Sequence, residues 1–141
     1  MLVYDRPQEV ADWVATQSGT APAPRAKAAI GYEVDGQFRA GVYFDGYTKG
    51  NIFAHIASSA NVIPPALLMA VAKYVYVQLG LSRMTFPVSS ANFRTRDFVS
   101  GMGAVVEGVL KEGADHGTDL VLFVLWKHDS FPQRLLTRGG A

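Results

Sequence analysis

Cysteine is absent from this chain of 141 residues. That excludes disulfides, a thiolate nucleophile and thiolate metal sites, and it leaves the redox compartment open. Charge is scarce as well: Asp, Glu, Lys and Arg make up 18% of the residues and sum to +1. No net field draws in nucleic acid or an anionic membrane, and no run of Lys and Arg interleaved with aromatics appears. Long apolar runs are missing. Leu2, Val3 and Tyr4 stop at Asp5, and the longest later stretch is interrupted by Lys73 and Gln78. Neither suits a signal peptide or a membrane span, so the expectation is a soluble protein made in the cytoplasm, with neither nucleic acid nor membrane as partner. No Gly-x-Ser-x-Gly, no P-loop and no metal-ligand cluster is present.

What the chain does have is apolar residues, 49% of the total, enough for one domain over residues 1–141 with a core of its own. A surface with so few charges tends to adhere, which predicts a homo-oligomer or a larger protein assembly. A small chain that spends most of its residues on its core would have the same composition.

Along the chain, a very short strand precedes a helix over about Pro7 to Gln17, with proline early in its first turn and Val10, Trp13 and Val14 as its apolar stripe. Ser18 to Pro24 reads as a loop. From Ala28 the period becomes two: Ile30, Tyr32 and Val34 alternate, Asp35-Gly36 turns the chain, and Phe38, Ala40, Val42 and Phe44 alternate again. Asn51 to Ser58 completes a three-strand meander. Ala66 to Leu79 predicts a helix with almost no polar face, ended by Gly80. Arg83 to Val88 is a short strand. Asn92 caps a helix to about Met102 with Phe98 and Met102 facing inward, and Ala104 to Lys111 and Asp119 to Trp126 form a closing hairpin around a polar loop. The polar tail from Leu136 to Ala141 is expected to fray unless neighbours hold it.

Gln78-Leu79-Gly80-Leu81-Ser82-Arg83, then Asn92, Phe98, Gly103, Glu107 and Gly108, resemble the GCN5-related N-acetyltransferase (GNAT) pattern. In that pattern a helix ends in Leu-Gly, a strand follows, an Asn opens the next helix, and Glu-Gly enters the sixth strand. The resemblance covers about the C-terminal two thirds of the chain. It implies an α/β (α+β) fold with a mixed sheet of six to seven strands, splayed fourth and fifth strands, and about three helices. Pro87 suits a splayed strand, where a missing ladder donor costs little. The family usually places two helices between its first and second strands; the room here for one and a loop implies a large macromolecular acceptor or none.

The same resemblance implies acetyl-CoA as the cofactor if the protein is active, with Ile56, Ser58, Val62, Asn92 and Phe98 as the cofactor-binding positions. The family's Gly-rich pyrophosphate turn falls on Ser59-Ala60-Asn61-Val62-Ile63-Pro64, with Val62 and Pro64 at its two glycine positions. Pro64 and Pro65 have no N–H to offer an anion, so the turn is eroded, while Pro65 remains a good helix starter. The family's acid, often a Tyr, aligns with Val99, which cannot transfer a proton. His55 and Glu33 are the candidate bases, with Asp45 a third; a His in an alternating strand is more often a packed or surface residue. His116 and His128 suit solvated roles. Two readings follow: an N-acyltransferase with a degenerate site, and a non-catalytic structural or assembly protein. With Asn92, Phe98 and Gly103-Ala104 spaced as they are, the chain also resembles small GNAT-like proteins carried by tailed phages, including internal virion components of short-tailed phages, which for the second reading implies incorporation in a virion.

Overall fold

The computed structural model describes residues 1–21, 23, 25–60 and 62–140. Pro22 and Pro24 of the expected loop, Asn61 of the expected turn and Ala141 of the tail lie outside the described residues. Asp35 and Gly36 close the hairpin between β2 (Ala28–Val34) and β3 (Gln37–Asp45) at φ of 52° and 77°. Both stand in the left-handed region, as a two-residue turn between right-twisted strands requires.

Around this hairpin a seven-stranded sheet runs β1 (Leu2–Val3), β2, β3, β4 (Phe53–Ser58), β5 (Arg83–Ser89), β7 (Thr118–Trp126), β6 (Val105–Asp115). Neighbours are antiparallel except β4 and β5. The mixed sheet and its strand order bear out the expected fold class.

Helix α1 (Pro7–Ser18) presses Val10, Ala11, Val14 and Ala15 onto one face of β2 and β3. Two mid-strand glycines permit this approach. A Cβ on Gly31 would stand 2.9 Å from a Val10 methyl, and one on Gly41 would stand 3.0 Å from the other. Nothing in the sequence pattern distinguished these glycines from bulge positions.

On the opposite face, α2 (Pro65–Ala72) buries Leu67 and Val71 against Val42, Phe44 and Ile56. One α-helix was expected over Ala66 to Leu79. Instead the chain widens to a π-helical segment at Lys73–Gln78, where the Leu79 N–H reaches back to the Tyr74 carbonyl at 2.9 Å. That segment carries the buried Tyr76 to β7, where its hydroxyl donates to the Leu125 carbonyl at 2.7 Å.

Helix α3 (Phe93–Gly101) begins at Asn92, whose side chain accepts from the Thr95 N–H at 3.2 Å, as a cap should. Its fully buried residue is Val99, with Met102 buried just beyond; Phe98 is only partly covered. The tail expected to fray is helical: α4 (Ser130–Gly140) seats Pro132 and Leu135 in the main core beside α2. Phe131 and Leu135, one turn apart, were the available signal. The described residues thus hold four α-helices rather than about three.

Candidate functional site

β4 and β5 share one register pair, Phe53 with Thr85. Below it the two strands are joined firmly. The Asn51 side-chain oxygen accepts from the Thr85 hydroxyl at 2.8 Å and from Arg83 Nε at 3.1 Å, while the Thr85 N–H donates to the Ile52 carbonyl at 2.9 Å. Above it they part, and the chain's own chemistry explains why. Peptide groups alternate between the two edges of a strand, so the Pro87 nitrogen faces β4 as the Thr85 N–H does, but carries no hydrogen. The Ser59 N–H donates to Arg39 of β3 at 2.9 Å. By the same alternation Ile56 and Ser58 turn their N–H and C=O groups away from β3, into the gap.

The gap opens into two chambers that share Ile56 and Thr95. One, of about 280 Å³, lies on the α1 side; Tyr43, His55, Pro87, Ser89 and Gly113 are among its walls, and no charged side chain lines it. The other, of about 340 Å³, lies between the end of β4, the turn over residues 59–64 and α3, with Ser58, Ile63, Arg94, Asp97 and Phe98 in its lining.

His55 is the most chemically equipped residue in the gap. Its Nε2 lies 2.9 Å from Asp45 Oδ1, and its ring stacks on Tyr43 with centroids 4.3 Å apart. An ionised carboxylate only accepts, so the Nε2 carries the hydrogen and the Nδ1 is left as a base. Burial, and then the charge of Asp45, push the Tyr43 phenol up, so it stays a neutral platform for the imidazole. Of the other candidate bases, Asp45 belongs to this cluster and Glu33 does not. Glu33 sits at a bulge near the end of β2, where its carboxylate accepts from Arg6 at 2.7 Å.

Of the expected cofactor positions, Ile56, Ser58, Asn92 and Phe98 line one chamber or both, and Val62 lines neither. Val62 is exposed, its carbonyl accepts from the Ser58 hydroxyl at 3.2 Å, and the turn lacks glycines. Asn92 lines the first chamber while capping α3; Phe98 lines the second. Val99, at the position aligned with the family's acid, is wholly buried in the core. His128 stacks near Trp126 and His116 is exposed, both outside these chambers. No group of His, Asp and Glu among the described residues could hold a metal ion, and no helix among them is long and apolar enough to cross a membrane.

Two participants escaped the sequence reading. Tyr43 pairs with His55 in the β3–β4 register, and Asp45, two residues on, shares that face; the cluster becomes readable once the register is known. Arg94 carried no signal beyond its place in the first turn after a capping Asn.

No family model matches the chain, and no curated protein matches it. Solved structures do. Ard1 from Thermoplasma volcanium matches at TM-score 0.71 and 13% identity over 89% of this chain and 96% of its own. A GNAT-family protein from Desulfovibrio desulfuricans matches at 0.66 and 17%, over 89% and 99%. Mycobacterium smegmatis RimJ, in complex with CoA-disulfide, matches at 0.60 and 17%, over 80% of this chain and 60% of its own. At such identities the likeness is one of fold, and the chain has the GNAT fold.

Proposed function

We propose that this protein is an acyl-CoA-dependent N-acyltransferase. The observation that carries the reading is the open gap between β4 and β5, with His55 in one chamber wall and Asp45 hydrogen-bonded behind it. A scaffold kept only for its shape would gain stability by closing such a gap.

The donor enters as a substrate, an acyl thioester of CoA; the neighbour from M. smegmatis is itself a CoA complex. The residues fit the pantetheine half of CoA more fully than its pyrophosphate. Ile56 and Ser58 present a free strand edge to the amide-rich pantetheine arm, and Phe98 and Ile63 supply apolar wall. The turn that should cradle pyrophosphate has no N–H at Pro64 or Pro65, and those of Ser59 and Ala60 are committed elsewhere. In the other chamber an amine attacks the thioester carbonyl: a C–N bond forms, the C–S bond breaks and the thiolate departs. One proton passes from nitrogen to His55 Nδ1, with Asp45 stabilising the imidazolium, and the thiolate takes its proton from solvent because Val99 has none to give.

A second reading, a non-catalytic assembly protein such as a virion component, draws on the solvent edge of β6. Val105, Val106, Val109 and Leu110 are all about half exposed there, on the last strand of the sheet. Calorimetric titration with acetyl-CoA and CoA separates the two. Binding at micromolar concentration supports the enzyme and directs a search through amine acceptors. No heat at millimolar concentration removes it and leaves sedimentation against concentration as the measure of assembly.

A further inference from the structure

An anion held at the N-terminus of a helix needs free N–H groups, and α2 has few. Pro64 and Pro65 have none. The Leu67 and Leu68 N–H groups donate to the Pro64 carbonyl at 3.0 and 3.3 Å, and in the preceding turn the Ala60 N–H is taken by the Ser58 hydroxyl at 3.1 Å. Within the first turn of α2 only the Ala66 amide is uncommitted among the described residues.

The opposite wall of that chamber holds its one cation. Arg94, second residue of α3, lines the chamber beside Ser58 and Ala60. It is exposed, and among the described residues no carboxylate lies within ion-pair distance of it. Arg39 of β3, beside the Ser58–Ala60 turn, also has no carboxylate within ion-pair distance among the described residues, but it does not line the chamber, and two other arginines are committed. Arg96 donates to the Ser90 carbonyl at 2.9 Å and stacks on Phe93, and Arg83 is paired with Glu107. Asp97, one turn beyond Arg94, also lines the chamber and opposes an anion there.

Building on the acyl-CoA reading, we infer that the phosphate next to the pantetheine arm is anchored by the Arg94 guanidinium on α3, in place of backbone amides on α2. A guanidinium offers a planar, permanently charged fork that matches a phosphate and needs no glycine turn to approach it. The site recognises a phosphopantetheine phosphate, and Asp97 sets an upper limit on how tightly it does so.

The test is calorimetry of the full chain and of Arg94→Ala, Arg94→Lys and Asp97→Asn with three probes: CoA, 4′-phosphopantetheine and pantetheine. Arg94→Ala should weaken CoA and phosphopantetheine roughly tenfold, the size of a charge-assisted contact, and leave pantetheine unchanged. Arg94→Lys should recover part of the loss, and Asp97→Asn should tighten the two phosphorylated probes about two- to threefold. Parent-like binding of CoA and phosphopantetheine by Arg94→Ala overturns the anchor while leaving the acyltransferase reading intact. No binding of any probe by the parent protein overturns both, and equal loss for pantetheine shows Arg94 acting on the fold instead.

Discussion

Arg83 on β5 and Glu107 on β6 meet as a bidentate ion pair across the intervening strand β7, with the guanidinium 5.2 Å above the ring of Trp126. A bulge makes the reach possible: Val106 pairs with Phe123 and Gly108 with Leu122, so Glu107 is the extra residue and turns out of the ladder. Arg83 also holds Asn51 and Thr85, so one side chain ties three strands to the foot of the gap. The Glu-Gly of the family pattern serves here as architecture.

That pair predicts an acid-sensitive stability. Its hydrogen bond to Arg83, then the guanidinium charge, hold the Glu107 carboxyl below the usual range. The folded state therefore binds this proton less readily than the unfolded chain. The contribution is complete above the unfolded glutamate pKa, about 4.3, and is lost as pH falls through the lower folded value. Urea midpoints at pH 7 should be lower for Glu107→Gln than for the parent. Between pH 5 and 3 the parent should fall more steeply, and parallel curves would remove the pair from the account.

Gly41 should not tolerate a side chain. Its Cβ would stand 3.0 Å from Val10 and 3.1 Å from Val14, the two valines that seat α1. Gly41→Val should cost about 1–3 kcal/mol in urea unfolding, the usual penalty of overpacking. Gly101→Ala, where nothing stands within 4 Å, is the control and should cost nothing measurable.

Tyr76 should make the fold sensitive to alkali. Burial, and then the charge of Asp129, push its phenol well above the ordinary tyrosine value. The raised pKa stabilises the fold fully below the unfolded value, about 10, and the contribution disappears as pH rises through the folded one. Tyr76→Phe should cost about 1–3 kcal/mol at pH 7 by leaving the Leu125 carbonyl without its donor. Its midpoint should also decline less than the parent's above about pH 10; an equal decline would assign the alkaline loss to other groups.

Period-two patterning and Asp35-Gly36 made the β2–β3 hairpin legible because a half-buried strand and a tight turn each write a local signature. Pro87 told of the splayed strands for a similar reason: a missing donor is visible in one letter. Tyr76 and its π segment were not legible, because an extra residue in a helical turn leaves the apolar pattern intact while moving a hydroxyl to a distant strand. Nor was the site cluster. Tyr43, Asp45 and His55 come together only through the β3–β4 register, which no single residue encodes.

The proposed base gives the sharpest test of that cluster. The chain contains no cysteine, so a thiol reagent reports CoA release without background from the protein. His55→Ala should lower kcat about 10²–10⁴-fold, the usual worth of a general base. It should leave acyl-CoA affinity unchanged, because His55 lines the amine chamber and not the one holding Ser58 and Arg94. Asp45→Asn keeps an oxygen that can accept from Nε2 but loses the charge that steadies the imidazolium, so a smaller fall of about tenfold is expected. A His55→Ala enzyme with the parent's kcat would show that the amine loses its proton elsewhere, and would return His55 and Asp45 to the role of a packed surface pair.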